Sequence, residues 1–284
     1  MAQLDILPPA RLTRGCETIP VFARWFGSWQ VTIQRQALDA GELRRRYDQA
    51  APRWQDKLDR LGVPDAYDGV LHRALATRGS PLHPQSRVLD CGVGSGGLSA
   101  ALARATGGPF ILHGVDMSPA MLLQAEEILR ETGVEAHLRS ADAHALPYPD
   151  DHFDLVMSAH MLEHCPHPQL VLAEMARVLR PGGLLVLCIT RASLLGMLIH
   201  LSWRTHTVTP SRAEGWLTQS GFDGVRRLAY GSGDLCSRMS LAFAAVKAKN
   251  PPSTNESTKN LENDAIAYKQ HKGSTHDYES DHHG

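Results

Sequence analysis

The 284-residue sequence predicts an α/β fold: a mostly parallel sheet covered on both faces by helices. Three observations point there. From about residue 86 onward, short apolar runs alternate with longer amphipathic ones. The short runs are apolar at nearly every position, as strands buried on both faces must be. The first of them runs straight into a glycine-rich turn, Cys91-Gly92-Val93-Gly94-Ser95-Gly96-Gly97, and then into a helical pattern.

Taken in order, residues 1–80 are expected to form a helical lid or cap. Phe22, Trp25, Phe26 and Trp29 fall at i, i+3, i+4 and i+7, which would put an aromatic stripe on one helix face. That stripe fits packing on the protein's own core, a lid over an apolar acceptor, or interfacial membrane contact. Residues 41–61 and 66–78 read as two amphipathic helices. A second unit, residues 81–248, opens with a strand at 86–90, a helix at 96–106 and a strand at 109–116. Ser118-Pro119 starts a helix running to residue 132, with Ser118 as N-cap and Pro119 at the first helical position. Residues 134–139 and 153–158 are the third and fourth strands. A helix at 169–179 stops at Pro181-Gly182-Gly183, and 184–189 is a fifth, almost wholly apolar strand. An insertion at about 191–209 precedes a helix from Thr209-Pro210 to Gly221; 222–230 and 239–247 read as two closing strands. The tail, 249–284, is rich in Asn, Ser, Thr, Lys and His and is expected to be disordered. Its histidine-bearing end, residues 276–283, reads as a solvated segment rather than a metal site.

Composition excludes several functions. Lys plus Arg total 29 against 30 for Asp plus Glu, so there is no basic excess to draw in nucleic acid. Five cysteines, Cys16, Cys91, Cys165, Cys188 and Cys236, are scattered without a C-x-x-C pair and read as small buried hydrophobes in a reducing compartment. Residues 1–14 show no apolar leader. The longest apolar run, 194–203, is broken by Gly196 and His200 and is about half the ~20 residues a spanning helix needs. A cytoplasmic protein without a transmembrane segment is expected.

Function is concentrated at the strand tips. Gly92, Gly94 and Gly96 let the backbone turn tightly and approach a ligand closely. Gly92, Gly94 and Gly97 also satisfy the dinucleotide fingerprint G-x-G-x-x-G. Asp90, two residues before the first glycine, argues against that alternative, since a carboxylate there would repel a pyrophosphate and attract a cation such as a methionyl ammonium. Asp116 ends the second strand, where a carboxylate accepts from both ribose hydroxyls; Met117 beside it suits an adenine face. Asp142 follows the third strand. It suits an adenine amino group, with the backbone N–H of Ala143 donating to a ring nitrogen. Ser158, at the tip of the fourth strand, completes the cofactor set.

The segments V-L-D-C-G-V-G-S-G, G-V-D-M-S-P-A-M-L, A-D-A-H-A-L-P-Y-P-D-D-H-F-D-L-V and R-V-L-R-P-G-G-L-L-V-L resemble, in order and spacing, the successive motifs of class I S-adenosylmethionine-dependent methyltransferases, especially the ubiquinone/menaquinone-type group. The resemblance covers about residues 86–190. It implies a Rossmann-like, doubly wound sheet of seven strands with the last antiparallel. It also implies S-adenosyl-L-methionine as cofactor, with Asp90, Asp116 and Asp142 on its methionyl amine, ribose and adenine.

After the fourth strand comes Ser158-Ala159-His160-Met161-Leu162-Glu163-His164. His160 is a candidate proton acceptor and His164 a second candidate, though local packing or capping would also explain His164. The segment resembles the M-L-E-H of a quinone O-methyltransferase subgroup in which acids and a histidine support a divalent metal. Here His160 stands where that subgroup has a further Glu, so no metal is assigned. Tyr47, Trp54 and Tyr67 are expected to line the acceptor pocket. The insertion, with Trp203, Arg204 and His206, is expected to form the opposite wall. The expected function is methyl transfer to an O, N, S or C atom of a small molecule. A quinone-precursor or phospholipid methyltransferase working at a membrane surface, and a non-catalytic regulatory module, are the alternatives.

Overall fold

The computed structural model describes residues 18–36, 38–78, 80–165, 167–193, 200, 203, 205, 208–230 and 235–249. Cys16, the tail past residue 249 and most of the insertion, Arg204 and His206 included, lie outside the described residues.

The first element corrects the helical reading of residues 22–29. β1 (Thr18–Phe26) and β2 (Trp29–Gln36) form an antiparallel hairpin. Gly27, at φ +60°, and Ser28 close it by pairing Phe26 with Trp29. A two-residue hairpin loop needs a left-handed residue at that place. Trp29, Val31 and Ile33 alternate with Gln30, Thr32 and Gln34, and this period of two, rich in β-branched residues, outweighs the helical spacing of the four aromatics. The side chains of Phe22 and Phe26 lie outside the description. Those of Trp25 and Trp29 are 65% and 77% exposed, so they pack on no core.

Three helices follow: α1 (Ala40–Ala50), α2 (Trp54–Arg60) and α3 (Val63–Leu75). Asp39 caps α1 by accepting from the Glu42 N–H at 2.7 Å. Pro52, within a 3₁₀ turn at Ala51–Arg53, splits the single helix expected at 41–61 into α1 and α2. Gly62, at φ +67°, turns the chain into α3.

From residue 87 strands and helices alternate as expected: β3 (Arg87–Cys91), α4 (Gly97–Thr106), β4 (Ile111–Asp116), α5 (Pro119–Arg130), β5 (Glu135–Ser140), β6 (Phe153–Ala159), α6 (Pro168–Val178) and β7 (Leu179–Thr190). Then come α7 (Pro210–Gln219), β8 (Phe222–Leu228), α8 (Leu235–Met239) and β9 (Ser240–Lys247). Ser118 caps α5 by accepting from the Met121 N–H at 3.1 Å. Pro181-Gly182-Gly183 stops α6, but as a bulge inside β7: Leu179 pairs with Phe153, and pairing resumes only at Leu184 with Leu155.

The seven strands run in the order β5-β4-β3-β6-β7-β9-β8. β9 is antiparallel to both its neighbours; the other adjacent pairs are parallel. Alternate residues of the central strands feed two cores. Val88, Leu184 and Val186 pack with α3, α4 and α5 on one face, while Leu89, Leu185 and Leu187 pack with α6 and α7 on the other. Strand order reverses between β3 and β6. Connections leave that point on opposite faces, which opens a crevice at the strands' carboxyl ends.

Candidate functional site

That crevice holds a cavity of about 950 Å³, walled by α1 and α2 above and by the tips of β3, β4, β6 and β7 below. Asp90, at the tip of β3, is 1% exposed. Its Oδ2 accepts from Ser99 Oγ at 2.6 Å, and its Oδ1, buried on the cavity wall, has no partner. Burial pushes this carboxyl up to about 7, against the hydrogen bond from Ser99 and with the help of the charge on Asp116. An unsatisfied buried carboxylate oxygen is costly, and a cationic ligand group would satisfy it.

Asp116 ends β4. Its Oδ2 accepts from the Gly94 N–H and its Oδ1 from the Ser118 N–H, both at 2.9 Å. Each oxygen keeps capacity for a second donor, as a pair of ribose hydroxyls would supply. Burial raises this carboxyl too, with the backbone N–H groups opposing it. Met117, Asp142 and Ala143 also line the cavity. Asp142 Oδ1 accepts from the His144 N–H at 3.0 Å and lies 2.8 Å from His144 Nδ1.

The glycines divide the work. Gly92, at φ +77°, passes so close to Met161 that an added Cβ would stand 2.6 Å from Met161 Cγ. Gly94, at φ +52°, has open space where a Cβ would stand, and its backbone lines the cavity. Gly96 is not on the wall; it lets α4 pass α5, with a Cβ position 3.3 Å from the Ala125 backbone. Ser158 is fully buried away from the wall, where its Oγ donates to the Cys91 carbonyl at 2.6 Å and ties β6 to β3. The residues on the wall thus fit the donor nucleoside that the sequence implies: a bare buried acid, a second acid with spare acceptor capacity, and backbone left uncovered by glycine.

His160, also on the cavity wall, follows β6 at φ +55°, a left-handed conformation that costs a non-glycine residue about 1–3 kcal/mol. Its N–H donates to the Cys188 carbonyl at 2.8 Å. Its Nδ1 lies 3.1 Å from Thr190 Oγ1 and 3.5 Å from Glu163 Oε1. Glu163 is 1% exposed, and Oε1 accepts from the Thr190 N–H at 2.8 Å. Burial opposes its charge, yet His160, His164 and Thr190 together hold its carboxyl down at about 2. Glu163 therefore stays ionised behind the histidine. Sequence reading gave it no role toward His160, because a spacing of three residues reveals a shared contact only once the turn at Leu162–His164 is known.

Tyr47, Trp54 and Trp203, singled out separately in the sequence, meet at one wall. Tyr47 stacks on Trp203 at 4.8 Å between ring centres, and Trp54 stands edge-on to both at 5.7 Å. His164 joins them, its Nε2 3.0 Å from Tyr47 Oη. Tyr67 lines the cavity as well. Two contacts that the sequence did not reveal clamp the helical layer to the strand tips. Asp48 of α1 accepts from Ser118 Oγ at 2.6 Å, and Gln55 of α2 accepts from Ser95 Oγ at 3.1 Å.

Among the described residues no group of three or more His, Cys, Asp and Glu side chains is arranged to hold a metal ion. Cys91, Cys165, Cys188 and Cys236 are buried and in no disulfide. Burial raises the thiols of Cys91, Cys165 and Cys188, which disfavours the nucleophilic thiolate. No helix among the described residues is long and apolar enough to cross a membrane.

Residues 89–187 match a protein-family model described as a methyltransferase domain. The ubiquinone/menaquinone biosynthesis C-methyltransferase UbiE of Paraburkholderia phytofirmans is 35% identical over 125 residues, 43% of this chain and 51% of the relative. The chain thus spans about half the length of the curated relatives it matches. Among solved structures, the [4+2]-cyclase SpnF matches with a TM-score of 0.56 at 18% identity, over 75% of this chain and 98% of that one. Phosphoethanolamine N-methyltransferase 2 of Haemonchus contortus, in complex with phosphomonomethylethanolamine and S-adenosylhomocysteine, matches with a TM-score of 0.52 at 18% identity, over 78% and 63%. At that identity the two structures share the fold, and one of them is named for a cyclisation, so the fold alone does not select a reaction.

Proposed function

We propose that the protein, whose residues 89–187 match a family model described as a methyltransferase domain, uses S-adenosylmethionine to methylate a small, largely apolar acceptor held between α1–α2 and the strand tips. The observation that carries this reading is Asp90: a buried carboxylate oxygen on the cavity wall without a partner, which a methionyl ammonium would satisfy. When bound, the cofactor supplies a methyl group already activated by its positive sulfur.

The chain's own residues would do the rest. Asp90 binds the ammonium, Asp116 the ribose hydroxyls, and Met117 lies on the adenine. Asp142 and the Ala143 N–H read the adenine edge, and Gly92 and Gly94 keep the loop low enough for contact. Gly96 and Ser158 support the loop from behind. Tyr47, Trp54 and Trp203 give the acceptor a flat apolar wall that excludes water. Orienting two reactants in this way is worth up to roughly 7–11 kcal/mol in ideal cases. His160 removes the acceptor's proton through Nε2, while Glu163 and Thr190 engage Nδ1 and so select the tautomer with Nε2 free to accept. The identity to UbiE favours a quinone-precursor ring within the class of small acceptors.

The test is a labelled-methyl screen of the protein against pooled metabolites, a quinone precursor included, with products identified by mass spectrometry. Labelled product and S-adenosylhomocysteine should form together. Cofactor binding without S-adenosylhomocysteine from any pool would favour a regulatory module instead.

A further inference from the structure

Among the described residues none of the β1–β2 hairpin lines the cavity, and its surface is unlike the rest of the molecule. Trp25 and Trp29 are 65% and 77% exposed, and Val31 is 46% exposed; together they are three of the four large hydrophobic side chains exposed among the described residues. Trp29 pairs with Phe26 across the turn and Trp25 with Gln30, so the two tryptophans belong to opposite faces of the ribbon. Each strand packs broadly only on the other. An isolated two-stranded hairpin is marginal in water, and one that bares indole on both faces lacks the apolar cover that would stabilise it. Docking one side of such a ribbon onto a flat protein surface covers one tryptophan and leaves the other bare. A medium that surrounds the tip can satisfy both.

Charge narrows the choice of medium. Residues 18–36 contain Arg24 and Arg35 and no acidic residue, in a chain whose net charge is −1. Tryptophan exposed at the tip of a segment that is basic in sequence suits the boundary of an anionic bilayer, where indole rings sit at headgroup depth and positive charge meets the negative surface potential. The hairpin is also tied to the cavity: β2 ends at Gln36, and Leu38, two residues later, lines it.

We propose that the β1–β2 hairpin docks the protein on an anionic lipid surface, with Trp25 and Trp29 entering the headgroup region and the net positive charge of residues 18–36 favouring the negative surface. This does not depend on the methyl-transfer reading; docking and catalysis can fail separately.

The test is co-sedimentation of the full chain with vesicles of phosphatidylcholine and phosphatidylglycerol, and with vesicles of phosphatidylcholine alone. Wild type should bind the mixed vesicles, and Trp25→Ala with Trp29→Ala should weaken that binding at least about tenfold with an unchanged melting temperature. High salt should release the protein. The proposal is overturned by absence of binding to the mixed vesicles, by equal binding of the double variant, or by equal binding to the neutral vesicles. Self-association in sedimentation velocity that the same two substitutions abolish would assign the tip to a second copy of the chain, and would overturn it as well.

Discussion

Asp90 has an ordinary carboxyl value of 3.8 in the unfolded chain and, because burial disfavours its charge, one of about 7 in the folded protein. The folded state therefore keeps a proton that the unfolded chain has lost between those values. The stability this group contributes is fully present below the lower value and is lost as pH rises through the upper one. A cationic ligand needs the ionised form, so cofactor binding at about pH 6 should release a proton and weaken as pH falls further. Calorimetry in two buffers of different ionisation heat reads this directly. Asp90→Asn should remove the proton release and weaken binding by about 1.5–3 kcal/mol, the worth of a charge-assisted hydrogen bond. His160 gives a second expectation. Its left-handed backbone is a strain that glycine would relieve. His160→Gly should thus leave the melting temperature unchanged or raise it, while turnover falls by about 10²–10⁴. A fall in both would mean that His160 is structural. At this scale the strand-tip acids were legible because each ends or follows a strand at a fixed offset from a glycine or a turn. Glu163 was not legible as the partner of His160, because its contact depends on how the chain turns after β6.

Between residue and fold, the clamps of α1 and α2 matter most. Asp48 accepts from Ser118 Oγ, with the Ala120 N–H at 3.4 Å, and Gln55 accepts from Ser95 Oγ. Both contacts cross from the helical layer to the loops that would hold the nucleoside. Substituting Asp48 and Gln55 with alanine should cost about 1 kcal/mol per bond in stability and speed cofactor release in stopped-flow dissociation, more than it changes the association rate. Unchanged release would mean that α1 and α2 do not gate the cavity. The elements that the sequence misplaced share one cause. Four aromatics at helical spacing hid a hairpin whose stronger signals were a Gly-Ser turn and a period of two in β2. Pro52 was passed over inside a long amphipathic run, although proline there ends α1. The central strands were easy to read because both their faces are buried, which leaves an unbroken apolar run.

For the whole molecule, two cores on opposite faces of one sheet carry the fold, and none of the hairpin side chains among the described residues belongs to either. Removing residues 1–36 should shift the melting temperature by less than about 3 °C. A larger loss would show that the hairpin supports the core. Seven strands, mostly parallel with the last antiparallel, agree with expectation; their spatial order is supplied by the structure alone. The aromatic wall was legible only in part, since it is assembled from residues as far apart as Tyr47 and Trp203, and no local pattern encodes such a meeting. What unites the scales is a crevice at the strand tips lined by Asp90, Asp116 and Asp142. The most direct measurement is isothermal titration calorimetry of the full chain with S-adenosylmethionine and, separately, NAD. One-to-one binding of S-adenosylmethionine that Asp116→Ala abolishes, with no heat from NAD, is the expected result; heat from NAD alone, or binding of S-adenosylmethionine that Asp116→Ala leaves intact, would contradict it.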